Sequence, residues 1–271
     1  MTDTPSFDLP EDKQRAAAFL KKGYTIVPVE NRRALDRIQA LLVDVTCQFL
    51  KLPQPDDPTH FLNHVHERIT LPQLNPLRLA VINAIRQSPW FRPAYFSLVR
   101  DALCALVGNE LAMQRGIGLS VQLPDDDSSL LPVHCDVWDG DSSFEVVEWV
   151  PFVDCFKTKS MYILEVEKDR MMQARLKDFQ ESDAEGLFRA IEKDVEYLDV
   201  PYGSVLIFSQ TLMHGNRVNR EPETRWSMNC RFKSALSPYA DKKLGEFFEP
   251  ITLRPVTRMA LNYRLPEGFD E

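Results

Sequence analysis

His134 and Asp136, in the run Pro132-Val133-His134-Cys135-Asp136-Val137-Trp138, are spaced so that a β-strand puts both side chains on one face, because its period is two. They can then share one metal ion. A third ligand is at hand in His214, which follows the buried-strand pattern Gly203-Ser204-Val205-Leu206-Ile207-Phe208 after a short polar loop. Two histidines and one carboxylate on one face of a non-haem Fe(II) leave positions open for a chelating cosubstrate and dioxygen. A His-x-Asp pair alone says little, because a core or surface histidine precedes an acid by chance in many chains. Arg225, eleven residues after His214, adds a permanently charged fork that fits a carboxylate better than an ammonium does. Ser227 places a hydroxyl on the same strand face.

Pro201 through Phe208, His214-Gly215-Asn216 and Asn219 through Arg225 resemble the C-terminal half of the phytanoyl-CoA dioxygenase-like oxygenases. His134 through Ser142 and Arg225-Trp226-Ser227-Met228-Asn229-Cys230-Arg231-Phe232 also resemble a branch of those enzymes associated with bacterial carbohydrate-biosynthesis clusters. The resemblance implies Fe(II) held by His134, Asp136 and His214, with 2-oxoglutarate chelating it and O2 as co-reactant. Arg225 then receives the distal carboxylate of 2-oxoglutarate, with Ser227 as helper and Tyr162 as a further cofactor-binding candidate. Hydroxylation is the default outcome, with 2-oxoglutarate leaving as succinate and CO2. Asp136 argues against halogenation, because halogenating relatives lack that carboxylate. Desaturation, epimerisation and oxidative ring chemistry use the same ligands and stay open.

The elements that must position these residues follow from patterning. Pro10 to Lys22 reads as a helix stopped by Gly23, and Tyr24 to Val29 as a strand. Asn31 caps a helix that faces Leu35, Ile38, Leu42 and Val45 to the core. Asn75-Pro76 is expected to start a helix carrying Leu79, Ile82 and Ile85, and Ser88-Pro89 another that Gly108 stops. After Gly108 the period becomes two, with Leu119, Val121 and Leu123 alternating against Gly118, Ser120 and Gln122. Strands are expected over Phe144–Val153 and Ser160–Leu164. Helical segments over Lys168–Lys177 and Ala184–Asp194, the second with a Ser182-x-x-Glu185 capping box, form an insertion across one mouth of the core. In the last core strand Arg225, Ser227, Asn229 and Arg231 share one face, and Trp226, Met228, Cys230 and Phe232 the other. The apolar set is expected to pack on the N-terminal helices, leaving the polar set to line a cavity. A short helix is expected near Val256 to Tyr263.

The expected fold is mainly β with α: a double-stranded β-helix, a jelly-roll of cupin-like form, buttressed by N-terminal helices. At 271 residues the chain fits one oxygenase domain over 1-271, with helical support and a possible lid over 1-110. The β-core spans 111-235 with a helical insertion over 167-197, and a C-terminal extension occupies 236-271.

A formal net charge of −8 without a basic block argues against nucleic acid as a partner. No apolar run approaches the roughly 20 residues of a spanning helix. The start, Met1-Thr2-Asp3-Thr4-Pro5, lacks the features of a signal peptide, and five dispersed cysteines fit a reducing compartment, so a cytoplasmic protein is expected. Cys135 alternates away from the ligands and reads as a small core side chain. His60, His64 and His66 form a rival histidine cluster, whose bland reading is a solvated loop and whose functional reading is a lid contacting substrate.

Trp138, Gln122, Asn229 and Arg231 are the substrate-binding candidates. An aromatic plane among short hydrogen-bonding groups suits a sugar or sugar-derived intermediate. A cupin-like metal-dependent isomerase or lyase, or a non-catalytic binding module on the same fold, are the alternatives. The first has no particular need for Arg225, and the second is disfavoured because the full ligand set is present. The sequence does not specify the oligomeric state.

Overall fold

The structure, a computed structural model, describes residues 7, 9–179 and 183–268. Its N-terminal part is helical. Helix α1 (Pro10–Lys22) ends at Gly23, whose φ of 78° is the left-handed turn that strand β1 (Tyr24–Pro28) requires. Helix α2 (Arg32–Leu50) begins where the Asn31 side chain accepts from Ala34 N, and it buries Leu35, Ile38 and Leu42 completely. A short α3 (Pro58–Asn63) is followed by α4 (Leu71–Arg86).

Helix α4 starts earlier than Asn75-Pro76. The Gln73 side chain accepts from Thr70 N at 2.9 Å, a capping arrangement that outweighs the proline, and Pro76 is carried within the helix. The buried face is correspondingly Leu74, Leu77, Val81 and Ile85, while Leu79 is exposed. The helix expected from Ser88 to Gly108 is two helices, α5 (Phe91–Phe96) and α6 (Arg100–Val107). Between them the chain bends at Ser97, whose hydroxyl donates back to Ala94 O instead of letting the helix continue.

The remaining elements are strands β2 (Leu111–Gln114), β3 (Gly118–Gln122), β4 (Glu145–Pro151) and β5 (Tyr162–Ile163), helices α7 (Val166–Gln173) and α8 (Ala184–Ile191), and strands β6 (Glu196–Tyr197), β7 (Ser204–Ser209), β8 (His214–Gly215), β9 (Arg225–Ser234) and β10 (Phe248–Thr252), closed by α9 (Pro255–Asn262). Ser182 lies outside the described residues; α8 is capped by Asp183, which accepts from Gly186 N. The C-terminal extension holds a strand, β10, which sequence patterning missed because Pro250 interrupts its alternation.

The larger sheet runs β1-β7-β4-β9-β2-β10, with β3 also pairing β9, and all its pairings are antiparallel. A smaller antiparallel sheet runs β6-β5-β8. Long β9 is the spine: its first half pairs with β3, its second half with β2, and β4 lies along its other edge. Its apolar side chains Trp226, Met228, Cys230 and Phe232 are buried in the core shared with the N-terminal helices. Trp226 Nε1 donates to Leu62 O at 3.0 Å, locking β9 to α3. The insertion covers the smaller sheet, where Leu187, Phe188 and Ile191 of α8 pack with Tyr162, Met213 and Cys135. Among the described residues no helix is long and apolar enough to cross a membrane.

Candidate metal centre

His134 and His214 are cross-braced by their own backbone. His134 N donates to His214 O at 3.0 Å and His214 N to His134 O at 2.9 Å, which leaves the two rings with centroids 4.3 Å apart. The bridge is a single pair, so His134 and Asp136 do not lie on one continuous strand. Cys135 is extended, and Asp136 opens one turn of 3-10 helix (Asp136–Asp139) that Gly140 ends in the left-handed region. An acid at the start and a glycine at the end of Asp136-Val137-Trp138-Asp139-Gly140 favour that turn over a strand. The extended Cys135 still sets its neighbours on one side, and its own buried thiol packs with Val133 and Tyr162 on the other.

The candidate ligand atoms of His134, Asp136 and His214 all lie within 4.8 Å of one another. Nδ1 of His134 is 2.8 Å from Pro132 O, and Nδ1 of His214 is 2.9 Å from Leu212 O. A carbonyl only accepts, so each Nδ1 carries the proton and each Nε2 keeps its lone pair. Those Nε2 atoms sit 3.7 Å and 3.9 Å from the two oxygens of Asp136. Burial of His214 pushes its ring down to about 4, so it is neutral and ready to ligate at physiological pH. Burial alone raises the Asp136 carboxyl, but the facing imidazoles where they carry a second proton, and the permanent charge of Arg231, outweigh it and hold the group well below the usual range.

Arg231 is part of this centre. Its Nη2 donates to Asp136 Oδ1 at 2.9 Å, its Nε lies 3.2 Å from Asp141 Oδ1, and its Nη1 donates to Gln114 Oε1 at 3.3 Å. Asp141 in turn pairs with Lys242, and Asp241 N donates to Gly140 O at 3.1 Å. The C-terminal extension, which carries no catalytic pattern in sequence, thus clamps the Asp136 turn against β9.

Arg225 stands at the other end of the polar face of β9. It is buried, its Nη2 donates to Ser120 Oγ at 2.9 Å, and its Nε is buried without a partner. Among the described residues no carboxylate pairs with it, and burial brings its guanidinium down to about 10. A buried cation without a counter-charge is costly unless a ligand supplies one. Its strand is fixed from below: Thr224 N donates to Asn63 O at 2.7 Å, and Thr224 Oγ1 is 2.9 Å from His66 Nδ1. His66 thus braces the residue before Arg225, while His60 is exposed on α3 and His64 caps that helix; among the described residues only the His134, Asp136 and His214 group has metal-site spacing.

Arg225, Asn229 and His214 line one cavity of about 360 Å³. Trp149, Met161, Phe208 and the loop Leu130–Leu131 make its apolar walls. Arg78 of α4 also lines it, bonded to Val121 O and Ser129 Oγ, with its Nε buried and unpartnered. Arg78 was not recoverable from the sequence, since a lone arginine on a helix reads as surface. Gly215 is required at the mouth, because a Cβ there would meet the Tyr162 hydroxyl at 2.6 Å and Leu131 O at 2.8 Å.

The other candidates lie elsewhere. Tyr162 is buried against Phe188 and Tyr197 and does not line the cavity. Gln122 is buried and donates to Arg217 O, and Trp138 is 43% exposed on the 3-10 turn; neither lines the cavity. Ser227 is wholly buried beneath it, with its hydroxyl unpartnered.

No family model matches the chain, and no curated protein matches it. Solved structures do. A non-heme monooxygenase, ThoJ, in a nickel complex is 13% identical, with a TM-score of 0.56 over 89% of this chain and 84% of that one. EctD from S. alaskensis with 2-oxoglutarate and 5-hydroxyectoine is 17% identical, with a TM-score of 0.54 over 88% of this chain and 81% of that one. The non-heme alpha ketoglutarate dependent epimerase SnoN from nogalamycin biosynthesis is 13% identical, with a TM-score of 0.51 over 97% of this chain and 93% of that one. At these identities the likeness is one of fold, and the fold of this chain is that of the non-heme enzymes it superposes on.

Proposed function

We propose that this protein is a non-haem Fe(II)/2-oxoglutarate-dependent dioxygenase whose two sheets are the halves of a double-stranded β-helix. The observation that carries the reading is the unpaired, buried Arg225 in the same cavity as His214 of the ligand trio. One end of a 2-oxoglutarate needs a metal, and the other needs a cation. A cupin-like isomerase or lyase would use the metal alone and leave Arg225 uncompensated.

In this reading His134, His214 and Asp136 hold Fe(II), their orientation fixed by the Pro132 and Leu212 carbonyls and by Arg231. Arg225 takes the distal carboxylate, and Arg78 lies close enough to lower the Arg225 guanidinium further, so the pair forms a strongly positive end. Bound there, iron and 2-oxoglutarate would supply the oxidising chemistry, with 2-oxoglutarate leaving as succinate and CO2. Trp149, Met161 and Phe208 exclude water around it. A small polar metabolite, such as a sugar or sugar-derived intermediate, is the proposed substrate. The resemblance to the carbohydrate-cluster branch supports it, as do Asn229 and the Trp149 ring on the cavity wall. The free cysteines suit a cytoplasmic setting.

Anaerobic addition of Fe(II) and 2-oxoglutarate should give a weak visible charge-transfer band. Iron binding with no such band at any 2-oxoglutarate concentration would favour the cupin-like reading. Succinate release across a panel of sugars, sugar nucleotides, amino acids and acyl-CoA thioesters then tests the substrate. Turnover only with an amino acid or an acyl-CoA would remove the carbohydrate assignment and leave the oxygenase assignment in place.

A further inference from the structure

A second cavity, of about 630 Å³, lies between α4–α5 and the β2–β10 edge of the larger sheet, and it shares no lining residue with the cavity at the metal centre. Its floor is apolar, made by Ile82, Ile85, Phe96, Met113, Ile117 and Ile251. Its polar lining is dominated by guanidinium: Arg86, Arg92 and Arg115 against a single acid, Glu249. Three positive charges less one leave two, in a chain whose formal net charge is −8. Glu249 is already engaged by Arg92. Among the described residues Arg86 and Arg115 form no ion pair; the Arg115 side chain donates to Gly245 O at 2.8 Å.

We infer that this cavity binds an amphipathic carboxylate, a linear acyl chain on the apolar floor with its carboxylate between Arg86 and Arg115. The volume falls within the range of small-ligand sites, about 300–1,000 Å³. Arg86 and Arg115 are exposed and solvated, so an all-apolar guest would leave their attraction for an anion unused, and a bare anion would leave the floor wet. A guest with both parts satisfies both. A local excess of positive charge on an acidic protein also concentrates anions there.

Decanoate is the probe, with decan-1-ol as its neutral counterpart and inorganic phosphate as a charge without a chain. Calorimetry of the full chain should show saturable decanoate binding at one site per chain, at least about tenfold tighter than decan-1-ol, and no heat with phosphate. Affinity should climb about fourfold for each CH₂ from hexanoate to decanoate, as expected where each methylene is buried. Arg86→Gln with Arg115→Gln should weaken decanoate about tenfold or more without altering decan-1-ol. Ile117→Trp, which fills the floor, should abolish both, with circular dichroism showing each variant folded. Equal affinity for decanoate and decan-1-ol, no dependence on chain length, or unchanged binding in the folded double variant would overturn the inference. So would a dimer by light scattering with no saturable decanoate binding, since the face would then belong to a second copy.

Discussion

Arg231 and Asp136 are joined by a 2.9 Å charge-assisted hydrogen bond, so one oxygen of the candidate metal-ligating carboxylate is already committed to a guanidinium on β9. The other faces His214 Nε2 at 3.9 Å. Arg231 is thereby a positioning residue for Asp136. Arg231→Gln should lower iron affinity about 10–100-fold, the usual effect of removing a partner from a ligand. Anaerobic Fe(II) titration measures this. Conversely, a weakened 2-oxoglutarate affinity at saturating metal, with iron affinity intact, would make Arg231 a cosubstrate residue.

Arg225→Ala should act the other way. Losing the charged partner of a desolvated carboxylate costs about 2–5 kcal/mol, tens to thousands-fold in 2-oxoglutarate affinity. 2-Oxopentanoate, which has a methyl in place of that carboxylate, should bind wild type and variant alike. Arg78→Gln should shift only the 2-oxoglutarate value, and by less, because Arg78 keeps polar neighbours of its own. Calorimetry of wild type and both variants with each of the two ligands checks both substitutions.

His134→Ala, Asp136→Ala and His214→Ala should each abolish turnover and weaken iron binding, while thermal unfolding stays cooperative. The large core under β9 holds the fold, and these three side chains lie outside it. Near-wild-type turnover in any of the three would remove that residue from the ligand set.

Glu145, beside Lys233, gives a pH dependence of stability. Burial pushes its carboxyl up from 4.5 to about 7, against a Ser142 N–H bond that favours the charged form. Between those values the folded chain keeps a proton that the unfolded chain has released. Stability should therefore fall as pH rises from about 4.5 to about 7, then level off. Urea unfolding across that range should show the decline, and Glu145→Gln should flatten it. An unchanged slope in the variant would place the dependence on another group.

The sequence made the three candidate ligands and Arg225 legible because each sits in a short pattern: His-x-Asp around one extended residue, a histidine after a buried strand, and an alternating strand with two opposite faces. Arg78 was hidden because it meets Ser129 and Val121 only through tertiary packing of α4 on β3. Asp141 and Lys242, 101 residues apart, were hidden for the same reason. Arg231 was visible as a polar face residue, but its partner was not, since nothing local says which acid a guanidinium will reach. Pro76 looks like a helix start, but Thr70 and Gln73 supply the cap, so α4 begins earlier than that proline suggests.

One strand, β9, carries Arg225 near its start and Arg231 six residues on, and it is hydrogen-bonded along both edges. A slip of one residue would turn both arginines into the apolar core and Trp226 into the cavity. Intermediate registers are thus energetically closed, and a chain that has folded at all has folded with Arg225 at the cavity and Arg231 at Asp136. Leu130–Leu131, by contrast, wall the cavity from outside β9, so the shape of that wall can vary with the register untouched.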